Sequence, residues 1–330
     1  MKLHENKELF NDAILATAQQ KGIKEIYVEK DYWVTLALHR IFTSDIGKEA
    51  VFKGGTALSK CYNIIERFSE DIDMVILRNE AETGNQLKTK IKKISNVVAE
   101  ILPEIEVEGI TNKMGMIRKT AHSYTKNFEG QFGQVRDIII VESTWLGSFE
   151  PYTNATVSSF VAEMMKKNNQ EELINQYNLN PFEVLVLSLE RTLCEKIMSL
   201  MRFSFTEDPI TDLNNKIRHI YDIHKLLEKE EINAFFQSNE FDKLLLIVAN
   251  DDVISFKNNN GWLDYHPATA MIYSDIENIW NQLRNTYNTT FKELVYGELP
   301  NEEQILTTLN TVKERLEKVE WKVDRETPVK

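Results

Sequence analysis

The sequence predicts an α+β chain, with a mixed helix-and-strand lobe over residues 1–150 followed by a mainly helical lobe over 151–330. In residues 51–77 the apolar spacing changes from three-and-four to strict alternation, so a helix and a strand follow one another closely. Residues 135–141 are β-branched and nearly continuous, as in a strand buried on both faces. From Phe160 onward the pattern turns to long helical stretches with few glycines. At 330 residues two lobes are the default, and the boundary is expected between 146 and 160.

Taken in order, residues 5–21 form an amphipathic helix (Leu9, Phe10, Ala13, Ile14, Ala18) stopped at Lys21-Gly22. A second helix covers 26–42, and its Glu29-Lys30-Asp31 triplet reads as an acidic first turn favoured by the helix dipole. Val51 and Phe52 begin a short strand, and Gly54-Gly55 allow a tight turn. A helical stripe then runs from Ala57 through Phe68, and 71–77 alternates as a strand that sets Asp71 and Asp73 on one face. Residues 86–102 are a helix, 104–110 a strand and 128–133 a glycine-bearing turn. In the second lobe, helices are expected over 182–203, 214–229, 231–250, 268–286 and 302–320, with breaks at 207–209, Gly261 and 297–300.

Composition narrows the function. The apolar fraction of 42% supports a full core. No run approaches the ~18 apolar residues that cross a bilayer, and the polar start is unlike a signal peptide. Cys61 and Cys194 read as buried free thiols of a cytoplasmic protein. A net charge of −12 argues against wholesale electrostatic capture of nucleic acid, but leaves room for RNA at a local basic patch. Two such clusters exist: Lys88, Lys90, Lys92 and Lys93 on a helix face, and Lys113, Arg118, Lys119 and Lys126 in a stretch of weak periodicity, either an ordinary loop or a substrate-facing one.

The chemistry centres on 51–77. Backbone N–H groups of Gly54, Gly55 and Thr56 at a helix start can hold phosphate oxygens. Lys53 and Lys60 flank them, as phosphate contacts or as solvated surface. Asp71 and Asp73 can share Mg²⁺ or Mn²⁺ with the phosphates of an NTP. Glu142, preferred over Asp137, is the expected third carboxylate. Such an arrangement suits nucleotidyl transfer by positioning and charge neutralisation. The segment KGGTALSK lacks P-loop spacing, and neither a Rossmann fingerprint nor zinc-ligand spacing occurs.

The string FKGGTALSKCYNIIERFSEDIDM resembles the signature of the AbiEii/AbiGii toxin family, within the polymerase-β-like nucleotidyltransferase superfamily and related to the MenT toxins. The resemblance continues in VEKDYWVT from Val28, in LCEKIMSL around Lys196, in RHIYDI from Arg218 and in the helices of 287–316, while 80–180 carries little of it. It implies a polymerase-β-like lobe and a metal-dependent nucleotidyltransferase toxin of an abortive-infection or toxin–antitoxin system. Its partners would be an NTP, an acceptor such as the tRNA 3′ end and a cognate antitoxin. It further implies a phosphate-loop hydroxyl at Thr56, metal carboxylates at Asp71 and Asp73, an essential lysine at Lys196 and a second-lobe aspartate at Asp222, with Lys196 reaching a cleft between the lobes. The loop departs from the family's Gly-Ser form, so no preference among nucleotides is carried over.

Two of these positions also have plain readings. Lys196 borders an apolar stripe, where lysines commonly snorkel to water. Arg218, a further expected phosphate contact, is also spaced with Asp222 as a solvated helix pair. Two other functions fit the same motifs: an NTP-binding partner subunit without transfer activity, and nucleotidylation of a protein or small molecule.

Overall fold

The organising element of the computed structural model is β1, Ala50–Lys53, an interior strand of a seven-stranded sheet. The structure describes residues 1–130 and 135–323. Before β1 come α1 (Lys7–Lys21) and α2 (Glu25–Phe42); after it come α3 (Gly54–Lys60), β2 (Ile72–Ile76), α4 (Gly84–Ala99), β3 (Glu104–Ile105), β4 (Ile117–His122) and β5 (Ile139–Thr144). Then follow β6 (Tyr152–Val157), α5 (Phe160–Lys167), α6 (Glu171–Gln176) and β7 (Phe182–Leu187). The rest is helical: α7 (Leu189–Phe203), α8 (Pro209–Asn215), α9 (Ile217–Leu227), α10 (Glu230–Gln237), α11 (Asn239–Ser255), α12 (Met271–Ser274), α13 (Ile276–Thr286) and α14 (Glu302–Leu316).

The strand order is β3-β4-β5-β2-β1-β7-β6. The contacts β2–β5 and β1–β7 are parallel and the others antiparallel, so the sheet is mixed and the fold class is α+β. One face of the sheet (Ala50, Phe52, Ile72, Met74, Ile76, Val141) packs into a core with Phe10, Ile14, Tyr32, Leu36, Ile91 and Val98 of the helices. Removing that apolar surface from water is the main stabilising term of this layer.

The chain forms two compact units. Met1–Trp145 with Tyr152–Leu187 makes the first, and Leu146–Pro151 with the residues from Ser188 on makes the second. The sequence set the division near 150; residues 152–187 instead belong to the sheet unit, as β6, α5, α6 and β7. The segment 182–187, expected as the start of a helix, is β7, whose Val186 pairs in parallel with Phe52. A short FEVLVL run satisfies both periods, and Ser188 supplies the cap from which α7 really begins, its side chain accepting from Arg191 N.

Other expectations shift locally. The helix after the glycine turn ends at Lys60, and Asn63, at φ 52, bends the chain away, leaving Ile64, Ile65 and Phe68 buried in irregular backbone. The strand over 104–110 shortens to β3, and the basic stretch after it contains a strand that the sequence reading did not find, β4. The strand over 135–141 lies further on, as β5, so Glu142 falls inside it and Asp137 outside. The part of the 128–133 turn from Gln131 on lies outside the described residues.

Candidate active site

Pairing register builds the site. Lys53 of β1 stands opposite Asp73 of β2, Asp73 opposite Glu142 of β5, and Glu142 opposite Lys119 of β4. Cross-strand partners share a face, so four adjacent strands present the row Lys–Asp–Glu–Lys. The lysine at either end offsets the repulsion between the two carboxylates at its centre. Lys119 Nζ lies 3.0 Å from Glu142 Oε2. Asp71, just before β2, faces Arg136 Nη1 at 3.7 Å.

The Asp73 carboxyl is pushed up to about 7 by burial, then by the charges of Asp71 and Glu142, against the pull of Lys53 and Lys119. Asp71 Oδ1 is buried and accepts no hydrogen bond. Gly54 closes the site from the other side. It takes φ +82, and a Cβ there would stand 2.4 Å from Asp73 Oδ2. Only glycine combines that backbone angle with so close an approach. Gly55 is hemmed in likewise: its Cβ would meet Arg67 Nη2 at 2.6 Å and Ser69 Oγ at 3.0 Å.

Neighbouring carboxylates, one with a buried oxygen that accepts no hydrogen bond, have the donor chemistry of a divalent-cation site. Among the described residues no three or more His, Cys, Asp or Glu side chains cage a metal by themselves. A two-carboxylate set nevertheless fits Mg²⁺, which binds through one or two carboxylates plus substrate phosphates and keeps waters of its own.

The model of the nucleotidyl transferase AbiEii toxin, type IV TA system, matches residues 36–325. The chain belongs to this family. Nucleotidyl transfer is thereby its reaction class and a toxin–antitoxin system its setting. Comparison with curated proteins gives no match. Among solved structures, MenT4, a nucleotidyltransferase toxin from Mycobacterium tuberculosis H37Rv, is similar over 91% of this chain and 98% of its own, at 14% identity and a TM-score of 0.46.

For this AbiEii-family chain, the remaining expected site residues divide. Thr56 is buried, and its Oγ1 donates to Ser69 Oγ at 3.0 Å. Lys60, expected beside the phosphates or in solvent, is buried: its Nζ pairs with Asp31 Oδ1 at 2.5 Å and donates to the Ser158 carbonyl at 3.0 Å. Its charge is therefore structural. Asp137 is an exposed residue paired with Lys126 at 2.5 Å, away from the carboxylate row. In the second unit, Lys196 of α7 and Asp222 of α9 form a buried pair, Nζ to Oδ2 2.6 Å, with Asp222 0% exposed. The burial of both residues corrects the snorkelling lysine and the solvated setting expected for Asp222. Arg218, the remaining expected phosphate contact, lies half-buried on α9.

Sequence reading missed the buried charges behind the site. Glu29, Lys30 and Asp31 are all within 3% of full burial. Glu29 accepts from Asn127 N and Phe128 N at 2.8 and 3.3 Å. Lys30 meets Glu70 Oε2 at 3.2 Å and donates to the Arg136 carbonyl, while Glu70 accepts from Arg136 N at 3.0 Å. Asp31 holds Lys60 and accepts from Phe160 N at 2.8 Å. Each member of the triplet thus fastens a different part of the unit, and Lys30 fixes the residues on either side of the Asp71–Arg136 contact. The signal was available. Apolar residues surround α2 on every side (Ile26, Val28, Tyr32, Trp33, Leu36, Leu38), and such a helix is buried with whatever charges it carries.

Proposed function

We propose that this protein is a metal-dependent nucleotidyltransferase toxin that joins the NMP of an NTP to a hydroxyl of an RNA acceptor, such as the 3′ end of tRNA, and releases pyrophosphate. The observation that carries this reading is the Lys53–Asp73–Glu142–Lys119 row beside Asp71, walled by Gly54. Asp71 and Asp73 would hold a divalent cation with the nucleotide phosphates. Bound there, the cation would supply charge neutralisation at those phosphates, the main need of a phosphoryl-type transfer. Glu142, paired with Lys119 at 3.0 Å, would stand as the third carboxylate. Lys53, at the end of β1, adds positive charge where the triphosphate brings negative. Backbone N–H groups at Gly54 and Gly55, where α3 begins, would be donors to the phosphates. Lys196 and Asp222 of the second unit would be the further lysine and aspartate of the reaction, with Asp222 orienting the lysine through their 2.6 Å contact.

The cognate partner of such a toxin is an antitoxin, and the biological setting would be abortive infection in phage defence. Among the described residues no helix is long and apolar enough to cross a membrane, and we place the protein in the cytoplasm. The test is to incubate the protein with each of four α-labelled NTPs and total tRNA, with and without Mg²⁺, and to resolve label into RNA and protein. Label in RNA that disappears in Asp73→Ala supports the proposal. Label confined to protein, or nucleotide binding without transfer to anything, would replace it with one of the two other readings.

A further inference from the structure

The two basic clusters of the sequence, separated along the chain, come together in the fold. Lys88 and Lys92 sit one turn apart on α4, so they share a face, and that face is opposite the buried Leu87, Ile91, Ile94 and Val98 only in part, because Ile91 floors the same hollow. Arg118 of β4 approaches from the sheet, with its Nε donating to Ser95 Oγ at 2.6 Å, which ties strand to helix and fixes the guanidinium. Lys113 comes from the connection between β3 and β4. Together they line a cavity of about 350 Å³ in which four of seven lining residues are cationic and none is acidic.

That local excess is out of proportion to a chain of net charge −12. Two acids stand nearby, Glu104 and Glu106, and both pair with Lys113, Glu104 at 2.6 Å. Glu104 Oε2 also lies 3.9 Å from Arg118. Lys88, Lys92 and the adjacent Lys93 are exposed and make no ion pair among the described residues. Lys88 and Lys92, on one helix face and without internal partners, are held in place by neither packing nor pairing, and their charge is available to a polyanion. Met114, 81% exposed at the rim, adds a flexible apolar side chain suited to a base or ribose. The cavity and the carboxylate row occupy opposite faces of the sheet, because side chains alternate along β4: Arg118 faces α4, and the ammonium of Lys119 meets Glu142 in the row. Two strand spacings, about 10 Å, separate β4 from β2.

We propose that the cavity between α4 and the β3–β4 connection is a docking site for the phosphate backbone of the RNA acceptor, with Lys88, Lys92, Lys113 and Arg118 as its phosphate contacts. It deepens the proposed function and rests on RNA being the acceptor. Backbone contacts of this kind set register and affinity without reading sequence, so the site would hold the body of the RNA while its end is modified elsewhere on the sheet.

The test uses the full chain with Lys88→Gln/Lys92→Gln and Lys88→Glu/Lys92→Glu, both on an exposed helix face, checked for an unchanged thermal midpoint. Binding of a fluorescent tRNA is titrated from low to high salt, and transfer kinetics are measured against RNA and against NTP. Loss of two phosphate contacts should lower the slope of log K against log salt by about 1.4–1.8, weaken binding at least about tenfold at low salt, and raise KM for RNA while KM for NTP and kcat stay put. Charge reversal should weaken binding further. If both variants bind tRNA with wild-type affinity and slope while the wild type labels RNA, the docking site is wrong and the proposed reaction stands. Retained tRNA affinity with lost binding of polyglutamate would assign the cavity to an acidic protein and overturn the proposal. If the wild type neither binds nor labels RNA, both fall.

Discussion

At the scale of single residues, Asp73 sets function against stability. Its carboxyl is pushed up to about 7, well above its ordinary 3.8. A folded-state pKa raised above the unfolded one contributes stability at low pH that is lost as pH rises from about 3.8 through about 7. Asp73→Asn should therefore melt higher than wild type at pH 8 in the presence of a chelator, show no advantage near pH 4, and lose nucleotide transfer by a factor on the order of 10²–10³. Thermal melts across that pH range and labelled-NTP incorporation check both halves. His219 works in the opposite sense. Burial first, then Lys196 and Lys216, hold its ring well below the usual 6.5, and its Nδ1 has no hydrogen-bond partner. The folded protein refuses a proton that the unfolded chain accepts, so stability falls as pH drops below 6.5. His219→Gln should flatten the pH 7-to-5 loss of denaturation midpoint, with buried His122 accounting for more of it.

At the scale of elements, buried charge pairs join segments that apolar packing alone would leave free to slide. Lys30 of α2 is enclosed with Glu70 and the Arg136 backbone. Removing one partner of a buried pair typically costs about 3–5 kcal/mol, because the other charge stays behind. Lys30→Met should cost that much in urea denaturation. Lys30→Met/Glu70→Gln should recover most of it yet still transfer nucleotide poorly, since Arg136 is no longer fixed against Asp71. The Lys196–Asp222 pair between α7 and α9 allows the same separation. Lys196→Met should lose both stability and transfer, and adding Asp222→Asn should restore stability alone. Recovery of transfer together with stability would reduce the pair to a structural role. The elements themselves were partly legible. Helices α1, α2 and α4 follow the apolar spacing closely, whereas β4 and β7 do not, because a six-residue strand covered by neighbours keeps too few positions to separate its period from a helical one.

For the whole molecule, the proposed cation site would couple metal binding to stability. Mg²⁺ that binds the folded chain and not the unfolded one should raise the thermal midpoint by mass action, worth about 2.7 kcal/mol at a hundredfold excess over its Kd. Chelation should lower the midpoint and abolish transfer, and Asp73→Asn should show neither response to Mg²⁺.

What the sequence by itself determined is chemical and local. The glycine turn, the paired aspartates, the family to which the chain belongs and most helices follow from residue types at short spacing, since turn geometry and amphipathic period act over a few residues. Partnership across the chain was decided only by the tertiary structure. Strand register put Lys53, Glu142 and Lys119 in line with Asp73. The all-round burial of α2 made a charged triplet internal. Packing of α4 on β4 merged two basic clusters into one cavity. Each depends on which distant segment lies alongside, a choice made by the summed burial of many apolar residues and recorded in no short stretch of sequence.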